Sequence, residues 1–134
     1  MDTIDIITKG QALTNFEIIQ ICQDLNIHLD YVMMNNQFTS KMLDYDFSII
    51  INFQNYSENG SHWVALYCDA KNKTVYYNDS YGELPTATVE NIINKKGYSL
   101  YFNNTQFQAI ESQMCGFFPI YFLYMMQKNK NKLQ

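Results

Sequence analysis

The chain has 134 residues, of which 47% are apolar, and its formal charge is −4. This length and composition predict one folded domain spanning residues 1–134 and exclude disorder for its body. The net negative charge argues against a surface that binds the phosphates of nucleic acid, so nucleic acid is not an expected partner.

The N-terminal segment, residues 1–10, lacks a basic region followed by an apolar stretch, so we predict no secretory signal. The longest apolar run, 117–126, is too short to cross a bilayer, so we expect no membrane association. The three cysteines have no C-x-x-C spacing, and their odd count favours free thiols over a disulfide framework: Cys22, Cys68 and Cys115.

The first predicted helix begins at a capping box formed by Thr14 and Glu17. Apolar residues at helical spacing then define one buried face, which comprises Ile18, Ile21, Cys22 and Leu25. Cys22 is therefore interpreted as a small core residue rather than a reactive one.

Three strands are predicted in the middle of the chain. Residues 47–53 form a β-rich run that we expect to be buried on both faces. Residues 62–68 form the next strand, and the polar turn 69–73 returns the chain as a hairpin partner over 74–78. Alternation places one set of side chains of the second strand on one face, namely His62, Val64, Leu66 and Cys68, and the other set opposite, namely Trp63, Ala65 and Tyr67.

A second helix and a further strand are predicted next. Pro85 suits the first turn of a helix that runs to about Lys96, and Gly97 is the expected stop. Residues 98–102 then form a strand.

The last predicted helix contains residues 117–126 and ends in a basic tail, at about 128–134, that we expect to fray. Pro119 fits only within the first turn, which places the start of the helix within a residue or two of Cys115. A thiol at the positive end of a helix dipole favours its thiolate form. Gly116 leaves room for a substrate backbone, although a buried cysteine capping an apolar helix is an equally good interpretation of this stretch alone.

Cysteine catalysis also requires a base and a group that orients the base. His62 begins one predicted strand and Asp79 follows the next, so pairing of the two strands would bring both residues to the same open end. Taken singly, His62 is better explained as a histidine at a strand end and Asp79 as a turn residue. Their combination with Cys115 favours catalysis. His28 follows a helix and is expected at the surface, and the cysteines and histidines lack the paired spacing of a zinc site, so no metal is expected.

Three motifs, in this order, resemble the adenain-like cysteine proteases, whose clan also holds the SUMO and ubiquitin-like-specific proteases. The motifs are N-G-S-H-W-V-A-L at 59–66, Y-Y-N-D-S-Y-G at 76–82 and F-Q-A-I-E-S-Q-M-C-G at 107–116. The resemblance covers roughly residues 59–126. It implies an α+β fold in which a mixed β-sheet packs against a central helix that carries the catalytic cysteine at its N-terminus.

Carried over position by position, the resemblance makes Cys115 the nucleophile, His62 the general base and Asp79 the group that orients the base. Roles of this kind are recognised by geometry, so the chain order of the three residues is not decisive. Attack by the thiolate gives an acyl-enzyme that water then releases.

The resemblance also assigns the surroundings of the nucleophile. Gln108 matches the family's glutamine whose side-chain amide lies in the oxyanion hole. Without the resemblance, nothing in the sequence favours Gln108 over Gln106 or Gln113 for this role. Trp63 matches the wall of a narrow channel that favours glycine beside the cleaved bond, with core packing as its other interpretation. Trp63 and Gly116 are thus the expected substrate-binding residues.

The implied function is a thiol endopeptidase without cofactors. Adenovirus members are stimulated by a disulfide-linked peptide and by DNA. In this chain the segment 79–115 holds no cysteine before its last residue, which argues against a disulfide-linked activator, and the net negative charge argues against DNA. The compact chain looks more like maturation proteases of virophages, Polinton-type elements and other DNA viruses. We therefore expect a monomer in the virion and in the host-cell cytoplasm or viral factory, not secreted, that cleaves viral capsid or scaffold precursors at Gly-containing sites.

Three other functions compete with this one. A deconjugase acting after the C-terminal Gly-Gly of a ubiquitin-like protein would use the same triad, although 134 residues leave little docking area. An acyltransferase would bind anionic acyl-CoA, which an acidic chain does not favour. A catalytically inactive binding module is disfavoured by the intact set of His62, Asp79, Gln108 and Cys115.

Overall fold

The computed structural model describes most of the chain, namely residues 14–34, 37–52, 63–79, 85–102 and 117–133. In chain order the elements are α1 (Asn15–Asp24), β1 (Tyr31–Met34), a 3₁₀ helix (Ser40–Asp44), β2 (Phe47–Asn52), β3 (Trp63–Asp69), β4 (Thr74–Asp79), α2 (Ala87–Lys95), β5 (Ser99–Phe102) and α3 (Phe117–Leu133). Within α3, the side chains of residues 119–128 are described.

The strands form one mixed sheet in the order β1-β2-β3-β4-β5. The central strands β2, β3 and β4 pair antiparallel, whereas β1 and β5 join the two sides in parallel. The hairpin predicted from the polar turn is confirmed, since Cys68 lies opposite Val75 and Val64 opposite Asp79. The edge strand β1 was not predicted, because it has only four residues, exposed at both ends and half-buried in the middle, with no clear alternation.

Helices cover both faces of the sheet, which explains why β2 and β3 are buried almost throughout. We call the face under α1 and α3 the front face and the face under α2 and the 3₁₀ helix the back face. The predicted alternation of β3 is confirmed, since Trp63, Ala65 and Tyr67 join the front core. The opposite set joins the back core, namely Val64, Leu66 and Cys68. The predicted α+β class with a mixed sheet is thereby confirmed.

Helix α1 begins as the capping box predicts. The Glu17 amide donates to Thr14 Oγ1 at 3.2 Å, and the Thr14 amide donates to Glu17 Oε1 at 2.9 Å. The expected burial of Leu25 is wrong, because the helix ends at Asp24 and Leu25 is 48% exposed. Leu25 is instead the C-cap, and Asn26 after it adopts a φ of 57°, the left-handed backbone typical of a helix end.

Helix α2 starts two residues later than the proline suggested. Thr86 is its N-cap, with a hydroxyl that accepts from the Val89 amide, so Pro85 lies before the helix and not in its first turn. The predicted stop is confirmed, since Lys96 is the C-cap and Gly97 has a φ of 82°. Left-handed backbone of this kind favours glycine because it has no Cβ.

Helix α3 begins at Phe117, as the position of Pro119 in its first turn requires. Ile120 and Leu123 are buried in the front core beside β3. The helix continues to Leu133, so the basic segment that we expected to fray is helical over 128–133.

The side chain of Gln127 ties α3 to the rest of the fold. Its Nε2 donates to the His28 carbonyl at 2.6 Å and to Ser48 Oγ at 3.0 Å, while its Oε1 accepts from the His28 amide at 3.0 Å. One side chain thus joins α3 to the segment before β1 and to β2. The position of the helix along the sheet is fixed by these bonds as well as by its apolar contacts.

Replacing Gln127 with alanine should lower the free energy of unfolding by about 1–3 kcal/mol, because three hydrogen bonds are lost and buried Ser48 loses a donor. Urea unfolding followed by circular dichroism measures this loss. Gln23→Ala on the exposed side of α1 is the matched control and should change stability by less than about 0.5 kcal/mol. Equal losses in the two variants would contradict the role given to Gln127.

Candidate active site

Three strand ends meet at one end of the sheet, which we call the upper end. There β2 ends at Asn52, β3 begins at Trp63 and β4 ends at Asp79. Asn52 lies opposite Trp63, and Val64 lies opposite Asp79. The fold therefore brings residues of the first two motifs, Trp63 and Asp79, to one end of the sheet.

Asp79 is a buried acid at this end, with 1% of its surface exposed. A carboxylate is tolerated in such a position only when it is hydrogen-bonded or paired, and Asp79 is engaged in interactions in the structure. Direct pairing puts Asp79 and Val64 on the same face of the sheet. The predicted location of Asp79, at the open end of the β3–β4 hairpin, is confirmed.

Trp63 starts β3 and is 3% exposed. It packs in the front core together with Ile120 and Leu123 of α3. The packing interpretation of this tryptophan is thus confirmed, and its role in binding a substrate stays a prediction.

The direction of α3 follows from its two anchors. Gln127 is bonded to Ser48, which lies near the start of β2 at the lower end of the sheet. Phe117 precedes Gln127 by ten residues, or about 15 Å of helix, while Ser48 and Asn52 are separated by about 13 Å of strand. With Ile120 packed in the same core as Trp63, the N-terminus of α3 is directed toward the upper end.

Four of the predicted site residues lie outside the described residues: His62, Gln108, Cys115 and Gly116. Their roles stay predictions. The structure describes their neighbours in the chain, since Trp63 directly follows His62 and Phe117 directly follows Gly116.

The other two cysteines are core residues. Cys22 is 2% exposed and Cys68 is fully buried, and neither forms a disulfide. Burial raises the pKa of the Cys22 thiol to about 12, so this thiol stays protonated and weakly nucleophilic near neutral pH. The interpretation of Cys22 as core is confirmed.

Within the part of the chain that the structure describes, no group of three potential ligands could hold a metal ion. In the same residues, no helix combines the length and the apolar character needed to cross a membrane.

His28 lies at the surface, as predicted, with 73% of its side chain exposed. Its Nε2 lies 2.8 Å from Asp30 Oδ1, a contact that sequence reasoning missed. The sequence signal for this contact is the spacing of His28 and Asp30, since residues two apart in an extended segment lie on the same side of the backbone.

The chain is similar in sequence and in fold to known viral proteins. The sequence is 34% identical over 86 residues to a protein of Acanthamoeba polyphaga mimivirus provisionally named a thiol protease. That match spans 64% of this chain and 26% of the mimivirus protein, so the chain corresponds to about a quarter of its relative. No family model matches the chain.

Among solved structures, the protease of African swine fever virus superposes with a TM-score of 0.57 at 14% identity, covering 86% of this chain and 58% of that protease. A SUMO protease with an oxidised catalytic cysteine superposes with a TM-score of 0.42 at 17% identity, covering 94% of this chain and 62% of the other.

The first superposition establishes the fold. The chain shares its α+β fold with the African swine fever virus protease, and the fold that the three motifs implied by resemblance is confirmed. The mimivirus similarity adds a viral relative whose name gives it thiol protease activity.

A thiol reagent such as iodoacetamide, applied to the native protein at pH 8, should leave Cys22 and Cys68 unmodified. Both are buried, and the raised pKa of Cys22 keeps its thiol protonated until the pH approaches about 12. Mass spectrometry of peptides measures the modification, and urea-unfolded protein is the control in which both thiols react. Equal rates in the native and unfolded protein would show that these thiols are not core residues.

Proposed function

We propose that this chain is the catalytic unit of a viral thiol peptidase, with Cys115 as nucleophile, His62 as general base and Asp79 as the group that orients the base. The single observation that carries the proposal is the burial of Asp79 directly opposite the second residue of β3. The viral thiol protease similarity and the viral protease fold support the same activity.

Chain connectivity supports the proximity of His62 to Asp79. The Cα of His62 lies about 3.8 Å from that of Trp63, the first residue of β3. If the alternation of β3 extends back by one residue, the imidazole shares the face of Val64 and is a diagonal neighbour of Asp79. Diagonal pairs have Cα atoms about 7–8 Å apart, a span that a histidine and an aspartate can bridge with one hydrogen bond.

Connectivity also supports the position of the thiol. Cys115 precedes Phe117, the first residue of α3, by two positions. A cysteine just before a helix is exposed to the positive end of the helix dipole, which lowers the pKa of a thiol. Helix α3 lies on the front face and is directed toward the upper end, whereas Asp79 shares the face of Val64, so the sulfur would meet the base and the acid at the strand ends and not across one face of the sheet.

The proposed reaction is acyl transfer to the thiol and then to water. His62 takes the proton of Cys115, and the sulfur attacks the carbonyl carbon of the cleaved peptide bond. The Cys115 amide and the side-chain amide of Gln108 donate to the resulting oxyanion. The imidazolium protonates the departing amine, and a water activated by the same imidazole releases the acyl group and restores the thiol.

Substrate selection is proposed to depend on the surroundings of Trp63. Its burial in the front core gives the indole a fixed position at the start of β3, and Gly116 leaves space beside the nucleophile. A rigid wall facing a small residue favours glycine next to the cleaved bond. We propose viral capsid or scaffold precursors as substrates of a monomeric enzyme in the virion and in the host-cell cytoplasm or viral factory.

A peptide vinyl sulfone ending in Gly-Gly should label Cys115 alone, and Cys115→Ser should abolish labelling. Asp79→Asn should lower the labelling rate by about 10²–10⁴, because the imidazole loses the charge that orients it and stabilises its protonated form. Intact mass spectrometry follows the reaction. Asp69→Asn, at the far end of β3, is the matched control and should react at the wild-type rate. Labelling that persists in Cys115→Ser would end the proposal.

Gln108→Ala should lower turnover of a fluorogenic Gly-Gly peptide by about 10²–10³, since one oxyanion donor is lost, with little change in KM. Gln106→Ala and Gln113→Ala are the same substitution at the two neighbouring glutamines and should keep turnover within about threefold of wild type. A large loss at either of these, with Gln108→Ala active, would move the oxyanion hole to a different glutamine.

A further inference from the structure

Among the residues that the structure describes, one buried side-chain atom has no hydrogen-bond partner, namely Oδ1 of Asn52. A buried acceptor without a donor lowers the stability of the folded state, because the atom has lost its bonds to water and gained none in return. Native proteins contain few such atoms, and each one calls for an explanation. A ligand that supplies the missing donor is one explanation, and the location of Asn52 favours it.

Asn52 is the last residue of β2, so it lies at the upper end of the sheet, where the candidate active site is. It is directly opposite Trp63 in the pairing of β2 with β3. Directly paired residues lie on the same face of a sheet with Cβ atoms about 4.5–5.5 Å apart. Trp63 belongs to the front core, and α3 on that face is directed toward the same end. The unpartnered oxygen therefore lies beside the indole that is the proposed wall of the substrate channel.

The side-chain amide of Asn52 lies at the rim of the front core and not in its interior. Asn52 is half-buried, whereas the five residues of β2 before it are buried. The torsion that turns an asparagine amide has a broad range, so a modest rotation presents Oδ1 to a ligand on the front face. Because solvent does not reach Oδ1 in the free protein, a bond to a ligand replaces no bond to water, and its net contribution to affinity is larger than usual.

The donor that suits this acceptor is a backbone N–H. The proposed substrates carry glycine beside the cleaved bond, and glycine has no side-chain donor. An extended peptide that lies against the indole of Trp63 presents its N–H groups sideways, toward the neighbouring strand that carries Asn52.

We propose that Oδ1 of Asn52 accepts a hydrogen bond from the backbone N–H of a glycine in the bound peptide, next to the indole of Trp63. The inference rests on the proposed function, because the peptide is the substrate of that reaction. Asn52 positions the peptide chain and takes no part in the chemistry of the thiol. Its loss should therefore raise KM with little change in kcat.

The test uses the full chain carrying Cys115→Ser, so that the probe is bound and not cleaved. The probe is acetyl-Ala-Gly-Gly-Ala-amide. Two control peptides have glycolic acid in place of the first or the second glycine, so that an ester oxygen replaces one N–H in each. Trp63 is the only tryptophan of the chain, so its indole N–H gives a single signal in nuclear magnetic resonance that follows binding at this place.

We expect one of the two ester peptides to bind about tenfold more weakly than the amide peptide, because that ester leaves Oδ1 without a donor. In Asn52→Leu, the amide peptide and this ester should bind equally. Equal binding of all three peptides to the chain with Asn52, or a difference that persists in Asn52→Leu, overturns the proposal. A probe that does not bind overturns it as well.

A stability measurement separates this role from a structural one. Asn52→Leu keeps a branched side chain of similar shape and removes the unpartnered atom, so its urea midpoint should equal or exceed that of the wild type. Asn91→Leu, at an exposed position of α2, is the matched control and should leave the difference between the peptides unchanged. A lower midpoint in Asn52→Leu with unchanged affinity for the amide peptide would make Asn52 a structural residue and overturn the assignment. Should Asn52→Leu fail to fold, the ester comparison on the chain with Asn52 still decides.

Labelling of the wild-type protein by the vinyl sulfone tests the proposed function separately. If Cys115 is labelled and the three peptides bind equally, only the role of Asn52 is refuted. If Cys115 is not labelled but the ester difference is found, the proposed function is refuted and Asn52 remains a binding site for a peptide N–H.

Discussion

The packing of α3 against β3 is the contact on which the rest of the account depends. Ile120 and Leu123 are buried against Trp63 and its neighbours in the front core, and burying side chains of this size stabilises the contact by about 1.5–3 kcal/mol each. The hydrogen bonds of Gln127 set where the helix lies along the strand. Together, these interactions hold the start of α3 in place relative to the ends of two strands, and the proposed chemistry depends on that placement.

The sheet supplies the second half of this geometry. Its central strands are covered on both faces, so their ends are held by two cores rather than by loops. Asp79 belongs to this rigid part of the molecule, and a carboxylate that is buried and fixed can orient an imidazole without rearranging during the reaction. The proposed site requires a thiol before a helix on the front face and an acid at a strand end to meet at one edge of the sheet.

Local patterns predicted much of this fold. The hairpin of β3 and β4, the two faces of β3 and the capping box of α1 all follow from short-range spacing and are confirmed. Leu25 and Pro85 were placed inside helices wrongly, because α1 ends before Asn26 and α2 is capped by Thr86. The sequence around these two positions is compatible with either helix boundary. Strand β1 was missed because its parallel pairing with β2 comes from tertiary contact and leaves no periodic signal in four residues, of which the two ends are exposed and the two middle ones half-buried. The Gln127 bonds join residues 79 and 99 positions apart, and no spacing predicts such a contact. The proposed role of Gln108 came only from an ordered set of motifs, whereas His62 and Cys115 were also suggested by their places at the start of a predicted strand and just before a predicted helix.

A crystal structure of the protein bound to a Gly-Gly peptide aldehyde tests the central claim most directly, because it measures whether three distant side chains share one site. The account predicts Cys115 Sγ bonded to the aldehyde carbon, one nitrogen of the His62 ring within about 4 Å of that sulfur, and the other about 2.6–3.2 Å from an Asp79 oxygen. A ring more than about 7 Å from the sulfur, beyond the reach of any hydrogen bond or single bridging water, would contradict it.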